Sequence, residues 1–261
     1  MKFPVLLALV AAAACTACSS SGTTPATLKS CNSFVLTGHP AYPPVAWAAG
    51  TTLQGGGIEV VRRLARDSGV TVRVVDEGSW DDAQLAVRDG RADAIVGIYK
   101  TPQRQAYFNY LHPALAPDPS AVVIRTGETF PYKSWKSLIG KKGAVGAGES
   151  YGAKFDAFLK AKLTTITVAN LNDVYRDVIQ SKADYGLSGY YAALTGAPKG
   201  ISFATTDFVT EGLYLAFGKQ SRCGTALSSS FSSDIARMVA NGSINRIFAA
   251  ALVKYEKTHP H

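Results

Sequence analysis

The sequence predicts an α/β protein of two similar lobes facing each other across a cleft, and three observations predict it. Apolar runs of strand length alternate with helical repeats in the order βαβαβ over residues 33–98, and the same order recurs over residues 143–188. The two runs end alike: "VRDGRADAIVG" and "VIQSKADYGLSG" each pass from a helix through a short polar turn to an Ala-Asp step that opens an apolar strand. A chain of 261 residues also exceeds the usual single-domain size and suits two lobes of about 100 residues each.

Each element has a local reason. "SFVLT" (residues 33–37) has the composition of a short strand, and "GIEVVRRLARDSG" (57–69) places Ile58, Val61, Leu64 and Ala65 on one helical face with Gly69 as its stop. "VTVRVV" (70–75) is a strand, "DDAQLAVRDG" (81–90) a helix with Asp81 as its expected N-cap and Gly90 as its stop, and "ADAIVGI" (92–98) a buried strand. "PSAVVIRTGE" (119–128) reads as an extended crossover. The second unit follows with "GAVGA" (143–147), the helix "YGAKFDAFLKAK" (151–162), "TITVA" (165–169), the helix "NDVYRDVIQSK" (172–182) and "ADYGLS" (183–188). "EGLYLAFGK" (211–219) is a last strand leading into helical patterns over 225–242 and 243–257. With a duplicated unit the chain crosses twice, so these final elements return to the first lobe. The expected division is residues 1–18 as signal, 19–30 as tether, 31–115 with 209–257 as the first lobe, and 116–208 as the second. Ligands of open parallel sheets sit beyond the carboxyl ends of the strands, which here means the cleft between the lobes.

Composition narrows the function classes. At 47% hydrophobic and 18% charged the chain can bury a core. Lys and Arg total 27 against 19 Asp and Glu, a formal charge of +8, but the cations are dispersed in short pairs such as Arg62-Arg63 and Lys141-Lys142. That pattern argues for a solvated basic surface and against nucleic-acid binding. His39, His112, His259 and His261 are scattered and no CxxC pair occurs beyond the signal segment, so neither a metal nor any other cofactor is expected.

The N-terminus "MKFPVLLALVAAAACTACSSSGTTPAT" has one lysine, an apolar stretch too short to span a bilayer, small residues and a polar tether, the arrangement of an export signal. Because the small residues run into Cys15 and Cys18, it also resembles a bacterial lipoprotein signal. Cys18, followed by "SSSG", is the expected lipidation site; Cys15, or an ordinary cut near Ala17, are the alternatives. No later segment reads as a membrane span, so contact with the membrane is expected only through the lipid. Export to an oxidising compartment permits a Cys31–Cys223 disulfide joining the ends of the mature fold; two free thiols are the other reading.

The order of elements, "YPP" after the first strand, "SWDDAQLAVRDGRADAIVG", "TPQR" after the third strand, "GESYG" opening the second lobe and "NGSINRIF" near the C-terminus together resemble the family 3 extracellular solute-binding proteins of ABC transporters, from about Cys31 to Lys257. The resemblance implies a two-lobed periplasmic binding protein-like fold that hinges shut on a small polar ligand and delivers it to a membrane permease. It further implies a periplasmic monomer, not an enzyme. Alternatives within the same fold are a dehydratase of the cyclohexadienyl type, with Glu149 or His39 as proton donor, and a sensory lipoprotein without transport.

Carried over position by position, the family pattern puts aromatics at Tyr42 and Trp80, available to sandwich the apolar part of a ligand; packing of Tyr42 on Pro43 and Pro44, and of Trp80 within its lobe, are the plainer roles. It puts a backbone N–H at Gly97, a side chain at Tyr99 where Ser or Thr is usual, a carboxylate-gripping arginine at Arg104, and a hydroxyl donor at Ser150 at the start of a helix. For Arg104 the alternatives are an exposed residue or a partner for an acid of its own lobe. Two positions depart from the pattern: Gly189 stands where amino-acid binders commonly hold the ligand ammonium with an aspartate, and His39 stands at another acidic position. Glu149 is available as a substitute, or is simply an acid favoured by a helix dipole. The expected ligand is a small carboxylate-bearing molecule.

Lipidation at Cys18 has a direct check. Cys18→Ser should release the protein into the soluble periplasmic fraction and abolish palmitate labelling; equal labelling of variant and parent would remove this cysteine from the role.

Overall fold

The computed structural model describes residues 31–259. Its centre is one path of strands that runs from β10 (Thr164–Val168) through β9 (Lys142–Gly146), β11 (Tyr185–Gly189), β8 (Ala116–Arg125), β12 (Ile201–Gly218), β6 (Ala94–Ile98) and β1 (Ser33–Gly38) to β5 (Thr71–Val74), and it divides naturally in the middle. On one side β1 (Ser33–Gly38) lies parallel between β5 (Thr71–Val74) and β6 (Ala94–Ile98), and β6 pairs antiparallel with the end of β12 (Ile201–Gly218). On the other side β9 (Lys142–Gly146) lies parallel between β10 (Thr164–Val168) and β11 (Tyr185–Gly189), and β11 pairs antiparallel with β8 (Ala116–Arg125). Each lobe is therefore three parallel strands plus one antiparallel strand. β8 and β12 pair with each other from Ala116↔Leu213 to Arg125↔Ile201 and carry the chain between the lobes.

The repeated Ala-Asp step has a shared physical role. Asp93 accepts a hydrogen bond from the Val35 N–H at 2.9 Å, and Asp184 accepts one from the Lys142 N–H at 2.7 Å. In each lobe a carboxylate at the start of the third strand thus satisfies a backbone donor of the first, which sets the register of the parallel pair.

The helices cover these sheets with the expected faces. α1 (Gly56–Asp67) buries Ile58, Val61, Leu64 and Ala65 and ends before Gly69, whose φ of +67° suits a residue without a Cβ. α2 (Trp80–Arg88) and α4 (Leu171–Ile179) cover corresponding positions in the two lobes and are capped by Ser79 and Asn170. The cap of α2 is Ser79, whose hydroxyl accepts from the Asp82 N–H, rather than Asp81; the serine precedes the first helical residue and presents its oxygen at the right turn. α6 (Arg222–Ala240) and α7 (Ser243–Thr258) return to the first lobe, where Phe231, Ile235 and Ile244 join Phe34, Leu36 and Phe217 in its core. The second lobe has its own core around Phe155, Tyr185, Leu187 and Phe208.

Some elements depart from the expectation. Residues 41–54 fold into a small antiparallel sheet of β2 (Ala41–Tyr42), β3 (Ala46–Ala49) and β4 (Thr52–Gln54), and β7 (Phe108–Tyr110) adds to β12. Residues after β11 form a short helix, α5 (Tyr190–Gly196), and β12 starts at Ile201, ten residues before the predicted strand. α3 (Ala153–Lys162) begins after its N-cap Gly152, so Ser150 lies in the loop and not at the helix start. Gly152, with φ +90°, adopts a backbone that suits only glycine and delays the helix by two residues. Among the described residues no helix is long and apolar enough to cross a membrane. Cys15 and Cys18 lie outside the described residues.

Cys31 and Cys223 form the disulfide, with Cα atoms 5.0 Å apart across 192 residues of sequence. The bridge ties the segment before β1 to the first turn of α6, so it closes almost the entire described chain. Chain-entropy reasoning gives such a loop about 5 kcal/mol at most, and removal of a native bridge typically costs about 2–5 kcal/mol. The Cys31→Ser, Cys223→Ser double variant should lose that much in denaturant unfolding, and the parent should show the same loss under reductant. Two freely alkylated thiols in the untreated protein, or unchanged stability in the variant, would contradict the bridge.

Candidate functional site

The carboxyl ends of β1, β6, β9 and β11 converge, and the residues that follow them line one cavity between the lobes. His39, Tyr42, Trp80, Gly97, Tyr99, Arg104, Glu149, Ser150 and Gly189 all border it, joined by Tyr151, which the sequence reading did not single out. The cavity measures about 20 Å³, space for roughly one water, so the lobes must part to admit anything larger.

Arg104 is set by the turn after β6. Thr101 Oγ1 accepts from the Arg104 N–H at 3.2 Å, and Arg104 opens a single 3-10 turn that directs its side chain into the cleft. Gly97, with φ +81°, is required by its own lobe: a Cβ there would meet Val45 Cγ1 at 2.6 Å. The guanidinium donates to Tyr99 O at 3.3 Å and, across the cleft, to Gly148 O at 2.8 Å, and lies 5.6 Å from the Trp80 ring centre. The residue is 8% exposed, yet among the described residues no carboxylate oxygen lies within 4 Å of it. Neither plainer reading of Arg104, an exposed residue or half of an ion pair within its lobe, fits this geometry. Burial pulls its pKa below the ordinary value, with Glu149 opposing the shift, and the group remains a cation at any neutral pH.

His39 fills the space between the two aromatics. Its ring lies 5.2 Å from Trp80, stacked, and 5.4 Å from Tyr42, so the expected sandwich holds a side chain of the protein itself. Its Nδ1 accepts the Ala41 N–H at 2.9 Å, which leaves Nε2–H to donate to Glu149 Oε1 at 3.0 Å across the cleft. Gln84 adds a third bridge between the lobes, donating to Gly148 O at 3.1 Å.

Ser150 departs from its expected role. Its hydroxyl donates to Asp156 Oδ2 at 2.5 Å, and Asp156 Oδ1 also accepts the Tyr151 N–H at 2.8 Å, so this carboxylate organises the loop before α3. The hydroxyl of Tyr151 donates to Leu187 O at 3.0 Å and fixes the loop to β11.

Beneath the cavity lies a group that the sequence reading missed. Asp118, on β8 where the chain leaves the first lobe, is fully buried and accepts hydrogen bonds from the hydroxyls of Tyr42 and, at 2.5 Å, Tyr99. Burial pushes its carboxyl up to about 6, against the lowering effect of those two bonds. An acid between two prolines in "APDPS", inside an otherwise apolar strand, was the available signal. The same Tyr42 hydroxyl explains Gly189, because a Cβ at that position would fall on it. No aspartate fits there.

Solved structures share this architecture. One is a mutant of ArgBP from T. maritima, with a TM-score of 0.71 and 16% identity over 85% of this chain and 96% of that one. Another is the amino acid ABC transporter substrate-binding protein AbpA from Streptococcus pneumoniae, bound to L-arginine, at 0.71 and 16% over 86% and 96%. A histidine kinase sensor domain with similarity to periplasmic binding proteins matches at 0.71 and 18% over 85% and 96%. At these identities the likeness shows the fold alone, a two-lobed periplasmic binding protein. Membrane-bound lytic murein transglycosylase F of Ectopseudomonas mendocina is 34% identical over 111 residues, 42% of this chain, which spans 22% of that relative's length. Residues 35–252 match the family described as bacterial extracellular solute-binding proteins, family 3. With that match running from β1 into α7, the chain belongs to this family of solute-binding proteins.

Proposed function

We propose that the protein is the extracytoplasmic binding component of an ABC transporter, lipid-anchored through Cys18, acting as a monomer that captures a small polar ligand bearing a carboxylate and presents it to a membrane permease. One observation carries the reading: a permanent cation, Arg104, is buried in the interlobe cleft against carbonyl oxygens, and among the described residues no carboxylate oxygen lies within 4 Å of it. A buried charge without an ionic partner is expensive, and a ligand carboxylate in two-point contact with the planar fork supplies the partner. Contacts from His39, Gln84 and Arg104 of the first lobe to the second-lobe loop at Gly148 and Glu149 support closure around such a ligand, because the groups on the two sides of the cleft meet at the cavity.

A sensory role without transport uses the same capture step, and the shared fold of the histidine kinase sensor domain favours it as the second reading. Uptake of the bound compound by cells with and without this chain separates the two.

A thermal-shift screen of amino acids and small carboxylates identifies the ligand, since anything bound only by the folded state raises its midpoint. With that ligand, Arg104→Ala should cost about 2–5 kcal/mol, or roughly 1.5 to 3.5 decades in calorimetric affinity. Arg104→Lys should restore only part of it, because a point charge does not reproduce the fork. Affinity within about threefold of the parent in a folded Arg104→Ala variant would leave the carboxylate without an anchor.

A further inference from the structure

The segment between β8 and β9 carries a charge pattern that the cleft does not use. Residues 129–148 contain four lysines, Lys133, Lys136, Lys141 and Lys142, and no aspartate or glutamate. All four are exposed, and among the described residues none has a carboxylate oxygen within 4 Å. The acids nearby are engaged elsewhere. Glu128 pairs with Arg125, Asp207 accepts the Thr210 hydroxyl at 2.7 Å, and Asp184 accepts the Lys142 N–H at 2.7 Å. Uncompensated lysines so close in sequence give this face a positive potential.

Apolar groups are set among these lysines. Trp135–Leu138 form a single 3-10 turn, and Ser137 Oγ accepts the N–H groups of Lys133 at 3.0 Å and Ser134 at 3.4 Å, which holds the turn to the chain before it. Tyr132, Trp135 and Phe158 are half-buried and line an open groove of about 560 Å³ bordered by Lys133, Lys136 and Asp207. The Trp135 indole N–H donates inward to Phe208 O at 2.9 Å, so covering the outer edge of the ring strands no hydrogen bond. Leu138 is fully buried and fixes the turn to the second-lobe core, whereas Ile139, the next residue, is 49% exposed.

An acidic protein would answer the lysines but not the isoleucine and rings between them. An anionic bilayer answers both, with phosphates at its surface, acyl chains beneath, and an interfacial zone that favours aromatic rings. We propose that this face of the second lobe docks on a bilayer of anionic lipid, with the lysines against the phosphates and Ile139 and the groove-lining rings at the boundary of headgroups and acyl chains. The contact goes beyond the capture step in the cleft and does not depend on the lipid anchor, which supplies a separate hold.

The test uses the unlipidated mature chain in a sedimentation assay with vesicles of phosphatidylcholine, either pure or in an equimolar mixture with phosphatidylglycerol. The parent should bind the mixed vesicles at low salt, release them at about 0.5 M salt, and leave pure phosphatidylcholine unbound. Each lysine near such a surface contributes about fivefold, so Lys133→Gln, Lys136→Gln and Lys141→Gln combined should lower the partition about 100-fold. A control removes three exposed cations of the first lobe, by Arg62→Gln, Arg63→Gln and Arg66→Gln, and should lower it by less than about threefold. Ile139→Ser keeps every charge and should weaken binding about three- to tenfold. Thermal midpoints within about 2 °C of the parent verify that these variants of exposed residues fold. Failure of the parent to bind mixed vesicles, or equal losses in the two triple variants, overturns the proposal. So does Ile139→Ser binding as tightly as the parent, which reduces the face to charge alone. Retention of the parent, but not of the lysine variant, on immobilised polyglutamate without any binding to vesicles overturns the bilayer and assigns the face to an acidic protein.

Discussion

The buried guanidinium of Arg104 is the constraint around which the cleft is arranged. At 8% exposure it has lost most of its hydration, and its recorded acceptors are backbone carbonyls of Tyr99 and Gly148, one from each lobe. Carbonyl oxygens are adequate acceptors but carry no net charge, and among the described residues no carboxylate lies within ion-pair distance of the guanidinium. Trp80 and Tyr99 shape the wall beside it. The result is a buried cation that takes one carbonyl oxygen from each lobe, and the proposed capture of an anion rests on it.

The fold supplies this arrangement through duplication and one shared pair of strands. Each lobe orders three parallel strands by the same device, an aspartate at the third strand that satisfies a backbone N–H of the first, and both sheets aim their carboxyl ends at the other lobe. β8 and β12 carry the chain between lobes as a single antiparallel ladder, whose register shifts between Phe203 and Val209. Asp118 sits on that ladder under the cavity and is gripped by two tyrosines of the first lobe, which couples the crossover to the site above it. The disulfide holds the return of the chain at the far end of the first lobe, away from the cleft.

Much of this was legible in the residues, for identifiable reasons. Strand and helix periods, glycine stops and the repeated Ala-Asp step are local signals, and they located the paired units. The cavity-lining residues follow strand ends, and the family pattern laid over those positions nominated His39, Tyr99 and Glu149. What local reading could not supply was tertiary proximity. That His39 lies between Tyr42 and Trp80, that the Ser150 hydroxyl donates to Asp156, and that Tyr42 excludes a side chain at Gly189 depend on contacts between segments far apart in sequence or on a loop whose helix starts later than its composition suggests. Asp118 belongs with these: its partners Tyr42 and Tyr99 are 76 and 19 residues away.

If Arg104 is kept for a ligand, it should contribute little or nothing to the stability of the ligand-free fold. Arg104→Met retains the length and apolar stem of the side chain while removing the charge, and replacing buried charges by apolar groups is often neutral or stabilising by about 1–4 kcal/mol. Thermal unfolding of the ligand-free variant is the direct measurement. The expected midpoint equals that of the parent or lies a few degrees above it, at about 2–4 °C per kcal/mol for a chain of this size. A midpoint several degrees below the parent would mean that the guanidinium serves the fold, and would contradict its assignment as a cation held for the ligand.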